Sequence, residues 1–452
     1  MKKITTVLLM LLISMCFILS GCGAPLKMPN NYTKVVSNGG FVVGAGDYAY
    51  VANAYQSYSN LTKKADNTGK GVAQYSINRT QLDVENPNQS YFNYLKTEDG
   101  TAKFELVLNK IAGYETSNMY VVGEYLYFTT PNVHKNKQNA YEFNLSTLFR
   151  VKLNGTDLKE IYTTKSSDAK FYLTGNENKQ LLIFDDETIK VLDVYKKSTS
   201  VKNLIKDDVK VSEVVFPATE EQEVTYLYFT AEKENTLISG NRLCQLNITT
   251  GHVENEKVLA NNTFKILTYN FGTVFFVVTG NTESDGLYSA TAETFTTGGT
   301  RHRYATDTTS LVYLKDAEYN VDCFVFIYNN NPYIQLMTQT NDNQAVKLND
   351  NSATLQFVDG TYVYYSTSEG IYKISVIERE ALQISNMTEF DSKKMDFDGR
   401  YVYFFAKGEG QETETKYLYR ADTFITEEDE IKTECFSKLL EKDIPEEEDE
   451  EE

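Results

Sequence analysis

The chain has 452 residues, and its 63 acidic against 44 basic side chains give a formal charge of −19. Such a surface repels phosphate backbones and anionic lipid head groups, which argues against nucleic acid as a partner. An apolar fraction of 41%, with 13% of the chain aromatic, is enough to bury a large core and excludes a mostly disordered chain.

The N-terminus comes first. Lys2 and Lys3 precede an apolar run over residues 7–19. A spanning helix needs about 20 apolar residues, so this shorter run reads as the core of an export signal. The next residues, Leu19-Ser20-Gly21-Cys22, resemble the lipobox of bacterial lipoproteins. That resemblance implies cleavage between Gly21 and Cys22, a diacylglyceryl group on the Cys22 sulfur, and loss of residues 1–21 as the signal peptide. Because Lys2 and Lys3 leave with it, the mature charge becomes −19 − 2 = −21. Stable anchoring takes two acyl chains, so the expected address is the extracytoplasmic face of a bacterial cell membrane. Residues 22–34, with Pro25 and Pro29, are expected to form a short lipidated tether.

Beyond residue 34 a pattern recurs. Gly-led runs centred on Tyr or Phe lie at 46–51, 123–130, 272–280, 360–367 and 399–406, with a related run at 225–231 and weaker ones at 180–185 and 321–328. Self-similarity over tens of residues, built from short aromatic strands behind turn glycines, predicts an all-β fold: a single β-propeller of seven or eight four-stranded blades over residues 35–426. Blade one takes 40–43 and 47–52, with 71–79 and 104–110 as outer strands joined through an Asn-rich insertion. Blade two takes 125–130 and 148–153. Blade three takes 171–174, 181–184, 189–194 and 201–205, which makes Asp185-Asp186-Glu187-Thr188 a hairpin turn and not an acidic catalytic pair. Blade four takes 226–231 and 243–246, blade five 264–267, 273–279 and 286–288, and blade six 311–314, 323–328 and 333–337. Blades seven and eight are the most regular, 360–365 before 370–374 and 399–404 before 417–420. A blade stacked between two others buries both faces, which suits the near-continuous run Val274-Phe275-Phe276-Val277-Val278. The pair Val35-Val36 is the candidate for a strand that closes the ring onto the last blade.

At these residues a second resemblance appears. Leu126-Tyr127-Phe128-Thr129-Thr130 and Leu227-Tyr228-Phe229-Thr230-Ala231 resemble the L-Y-W-T-D strand of low-density lipoprotein receptor propellers. Leu148-Phe149-Arg150-Val151-Lys152-Leu153-Asn154-Gly155 resembles the following strand and turn of that family and of related bacterial lipoprotein domains. The resemblance implies a propeller, with Phe in place of the Trp and with Thr130 or Ala231 in place of the Asp.

From Thr426 the period changes. Ile431, Cys435, Phe436, Leu439 and Leu440 fall on one helical face, so residues 427–442 are expected as an amphipathic helix against the propeller. Residues 443–452, ending in seven consecutive acids, are expected as a disordered tail. Cys244, Cys323 and Cys435 remain in the mature chain, an odd number that allows one disulfide at most.

Chemistry is sparse in the sequence. It shows no H-E-x-x-H, no phosphate-binding loop and no G-x-S-x-G elbow, so no catalytic residue, metal ligand or cofactor site is assigned. Arg301, His302 and Arg303 form a basic spot in an acidic chain and are the candidate rim for an anionic ligand. The leading functional reading is a non-catalytic scaffold, lipid-anchored through Cys22, that binds an envelope protein or peptide. Two alternatives stand beside it: an envelope hydrolase or lyase with its site at the propeller channel, and a lipoprotein that binds small solutes.

Overall fold

The computed structural model describes residues 25–52, 77–83, 104–108, 118–132, 134–140, 142, 144–219, 222–232, 240–258, 261–303, 307–339, 344–348, 352–407, 417–426 and 430–435. Its hairpins rest on one local choice, a strand of β-branched and aromatic residues that reverses where the backbone reaches positive φ. Gly46, Gly123, Gly272, Gly360 and Gly399 hold φ of 61°, 59°, 71°, 53° and 98° at the first turn of their blades, a region that glycine enters without steric cost. Polar pairs do the same at two-residue turns: Asp186 and Glu187 have φ of 56° and 57°, and Asn329 and Asn330 have 48° and 65°. Positive φ at both central residues is the I′ geometry that matches strand twist. Asp185-Asp186-Glu187-Thr188 is therefore a hairpin turn, as its sequence indicates.

The strands form eight sheets, each an antiparallel meander in chain order, seven with four strands and the first with five. The innermost strands of successive blades lie beside one another, as Val211–Val215, Thr263–Asn270, Leu311–Asp316, Thr354–Asp359 and Phe390–Phe397 do. The fold is an eight-bladed propeller. Among the described residues no helix is long and apolar enough to cross a membrane.

Cores lie in the seams between blades. Phe275 of blade five packs against Tyr313 and Phe324 of blade six, with ring centroids 5.3 and 5.2 Å away. Tyr364 of blade seven shares a cluster with Val402 and Phe404 of blade eight. A single sheet could not bury these faces, so each blade depends on its neighbours. Tyrosines add polar ties, since Tyr50 donates to the Leu153 carbonyl of blade two at 2.6 Å and Tyr120 to the Phe171 carbonyl of blade three at 3.2 Å. Both rings are fully buried, and a buried phenol needs such a partner.

Three asparagines repeat a tie that the sequence does not announce. Each side-chain amide pairs with both backbone groups of one residue in the next blade. Asn38 Oδ1 accepts from Val121 N at 2.7 Å while its Nδ2 donates to Val121 O at 3.3 Å. Asn176 holds Val224 at 2.7 and 2.9 Å, and Asn241 holds Phe264 at 2.6 and 2.8 Å. An amide supplies one acceptor and one donor side by side, so it extends the ladder as a strand residue would.

Two expectations at the chain ends change. Val35–Val36 is a strand, but it pairs with Ala45 and Gly44 on the inner edge of blade one and does not join the last blade. Blade eight is complete without it, with Phe390–Phe397, Tyr401–Ala406, Tyr417–Asp422 and Thr433–Cys435. The last of these replaces helix at 433–435 within the expected helical span 427–442. Thr433 and Cys435 are half-buried and Glu434 is exposed, the alternation of a strand, and Cys435 pairs with Tyr419. Spacing alone gave the helical reading, and an open edge on blade eight, present only in the assembled fold, decides against it. Residues 436–452 lie outside the described residues.

The ring closes through side chains. Phe41 and Phe405 meet at 5.0 Å between centroids, and Asp396 accepts from Val42 N at 2.9 Å and from Ser37 Oγ at 3.1 Å. A Cβ on Gly40 would fall on the Asp396 carboxylate, so any side chain there must displace that carboxylate.

Candidate functional site

Gly21 and Cys22 lie outside the described residues. The chain that follows them is placed, however, because residues 25–34 run along the first blade. Arg79, fully buried, donates to the Lys27 carbonyl at 2.6 Å while its Nε pairs with Glu105 at 2.8 Å. Asp47, in the first turn of blade one, accepts from Asn30 N at 2.6 Å and Asn30 Nδ2 at 2.8 Å. Leu26 and Met28 pack on the core shared by blades one, two and eight.

The basic spot occupies the outer strand of blade five, Thr300–Arg303, and not a rim loop. His302 faces inward with no exposed surface, and burial holds its imidazole below the ordinary histidine value. Arg301 donates to the carbonyls of Glu283, at 3.1 Å, and Asp285. The side chain of Arg303 lies outside the described residues. A strand outermost in its blade still alternates its side chains, and here His302 is turned inward while Arg301 is only half-buried.

The position of His302 creates a hydroxyl–imidazole pair. Its Nε2 lies 2.7 Å from Ser289 Oγ and its Nδ1 is 3.4 Å from the Gln339 carbonyl. That is the spacing of a base and a nucleophile. Ser289 is only 4% exposed, and Phe275 and Phe324 lie against the imidazole at 6.1 and 5.0 Å. No substrate reaches a pair so sealed, and the arrangement satisfies two buried polar groups. Asp185 is likewise wholly buried, and its carboxylate accepts from Tyr162 OH, Lys165 N and Ser166 N, fixing the connection from blade two to blade three. Cys244 and Cys323 are free and buried, and burial pushes both thiols up to about 12; Cys435 forms no disulfide with either. Thiols held protonated are not nucleophiles. Among the described residues no three His, Cys, Asp or Glu side chains gather as a metal site would need.

One group that remains available among the described residues is Lys257. It ends the outer strand of blade four, His252–Lys257, in which Val253, Asn255 and Lys257 are turned toward the protein and the residues between them are exposed. It borders a cleft of about 400 Å³ in the seam between blades four and five, walled by Phe264, Phe276, Val278 and Tyr288 and by the 296–298 loop. Its ammonium sits 5.3 Å from the Phe295 ring centroid and 5.9 Å from that of Phe276. The adjacent Glu256 is taken by Arg242 at 2.8 Å. Burial lowers the Lys257 pKa, and no charged group among the described residues offsets it. The cleft is mixed, with Glu256, Thr296 and Thr297 beside its apolar residues, and a half-buried cation over aromatic faces there can accept an anionic group. The alternation that turns Lys257 inward, and the cleft it borders, belong to the assembled seam.

No family model matches the sequence, and neither does any curated protein. Among solved structures, an oligogalacturonate lyase from Vibrio parahaemolyticus is 12% identical, with 66% of this chain and 86% of that one covered at a TM-score of 0.42. A puromycin-hydrolyzing peptidase from Mycobacterium tuberculosis is 11% identical over 71% of this chain and 53% of its own, at 0.40. A chain of a nidogen–laminin complex is 10% identical over 68% and 89%, at 0.29. At these values the similarities carry no argument about activity.

Proposed function

We propose that this chain is a lipid-anchored envelope protein whose propeller binds a protein or peptide without catalysing a reaction, with Cys22 as the anchored residue. The observation that carries the reading is the cleft between blades four and five, where Lys257 lies over aromatic rings and, among the described residues, no charged group offsets its burial. Its complement is a peptide segment that brings a carboxylate beside an apolar side chain, the first for the ammonium and the second for Val258 and Tyr288 at the cleft's border. A buried carboxylate–ammonium contact adds specificity because a ligand lacking the anion leaves the cation desolvated. The other polar groups described above are engaged in holding backbone, which favours a rigid binding body over a reaction centre.

Peptide selection against the purified chain tests this. Enriched sequences should place Asp, Glu or a C-terminal carboxylate next to an apolar residue, and Lys257→Glu should weaken their capture about tenfold or more, the scale of one charge-assisted contact. Equal capture by wild type and Lys257→Glu would remove the cleft from the reading. Turnover of a defined oligosaccharide or peptide by the purified chain would favour an envelope hydrolase or lyase, and saturable binding of a free sugar would favour a solute-binding protein.

A further inference from the structure

In a four-stranded meander the first and third connections leave from one edge of the sheet and the second leaves from the other. With the inner strands side by side around the ring, the described first and third connections form one face of the disc. The described residues expose ten large hydrophobic side chains, and six lie in these connections: Leu158, Tyr195, Phe271, Tyr319, Ile377 and Phe424. They come from blades two, three, five, six, seven and eight, so they are distributed around the face and do not form one cluster. Tyr319 and Phe424 are the most exposed, at 58% and 63%. Cations accompany two of them, with Lys196 Nζ 4.9 Å from the Tyr195 ring centroid and the Arg400 guanidinium 5.5 Å from that of Phe424.

The same face receives the N-terminal segment. Asn30 is clasped by Asp47 in the first turn of blade one, and Gly46 N donates to the Lys34 carbonyl at 2.9 Å. Pro25 is three residues past Cys22, so the anchored sulfur is held within about 10 Å of the packed segment. A diacylglyceryl group on so short a leash brings this face, and no other, to the lipid.

We propose that this face lies flat on the bilayer, with its ring of aromatic and aliphatic side chains entering the interfacial layer and the second connections turned outward toward partners. The inference rests on the lipid anchor proposed above. Aromatic rings with adjacent Lys or Arg suit the headgroup level. The net charge makes neutral, zwitterionic lipid the matching surface, because an acidic disc is repelled by anionic headgroups.

The chain has no tryptophan, so single substitutions report one site each. The lipidated full chain carrying Phe271→Trp, Tyr319→Trp or Phe424→Trp would be bound to phosphatidylcholine vesicles with brominated acyl chains. Ser167→Trp and Ser368→Trp, exposed on the opposite face, serve as references. Emission should fall about twofold for the first three, the effect of burial at the acyl boundary, and stay unchanged for the references. Flotation with vesicles and equal emission at all five sites would overturn the placement while leaving the anchor intact. Quenching at Ser167→Trp or Ser368→Trp would invert it. Failure to float would defeat the anchor and the placement together. A sedimenting dimer with blue-shifted emission in the absence of lipid would assign the face to a second copy of the chain.

Discussion

The seam between blades eight and one and the seam between blades four and five join equivalent surfaces, yet they are built differently. The first is filled: Phe41 and Phe405 are in contact, and the Asp396 carboxylate takes the space that a Cβ on Gly40 would need. The second is tied at its start by the Asn241 amide on Phe264, then opens into a cleft bordered by a cation whose burial no charged group among the described residues offsets. The closing seam joins segments 354 residues apart with no strand shared between them, so complementarity there does what chain continuity does elsewhere. A seam between consecutive blades is already tethered by the chain, which makes it tolerant of a cavity, and a cavity there can serve binding.

The largest expected effect breaks the filled seam. Gly40→Ala drives a methyl into the Asp396 carboxylate, so either the carboxylate moves and leaves Val42 N without its acceptor or the two blades separate. Overpacking and a lost charge-assisted hydrogen bond together are worth about 4 kcal/mol. The denaturant midpoint should fall accordingly, and a midpoint within about 1 kcal/mol of wild type would show that the seam relaxes freely. A smaller effect tests the shared tie. Asn38→Ala and Asn241→Ala each remove one acceptor and one donor from buried backbone, at a cost of about 1–2 kcal/mol apiece. Only Asn241→Ala should also weaken peptide capture, since only its seam holds the cleft. Equal binding by both variants would separate the tie from the site.

The blades were legible in the sequence because their signals are local: Gly123 and Gly360 mark turns, and the Tyr125–Pro131 run is buried at all seven positions. Even Asp186 and Glu187 read correctly as a turn. The seams were not legible. Asn38 and Val121 are 83 residues apart, and nothing in either residue names the other. The helical reading of 427–442 failed at 433–435 for the same reason, as the partner Tyr417–Asp422 exists only once blade eight is assembled. Arg301, His302 and Arg303 stood out by charge, yet alternation on an outer strand buries the middle one and leaves it to Ser289. Lys257 went unmarked because a lysine in an acidic stretch reads as surface until its strand is seen to turn it over Phe276 and Phe295.

The smallest effect has the opposite sign and separates binding from stability at one residue. A lysine pKa lowered by burial means that the charged form is held less well in the folded chain than in the unfolded one. Between the lowered folded value and the ordinary value, the unfolded chain carries more of the proton, so stability rises with pH through that window. Below the window the wild type bears the full penalty of a desolvated ammonium. Lys257→Met removes the charge and keeps the length of the side chain, so it should stabilise the protein at neutral pH by about 0.5 kcal/mol and weaken peptide capture about tenfold. The gain should shrink as pH climbs through the folded value and vanish above the ordinary lysine range, where the wild type is neutral as well. A cation retained at a stability cost is what a binding cleft requires and a packed seam does not. A Lys257→Met variant less stable than wild type at neutral pH would instead make the ring contacts a structural cation–π tie, and the seam between blades four and five would then differ from the closing seam only in how loosely it is filled.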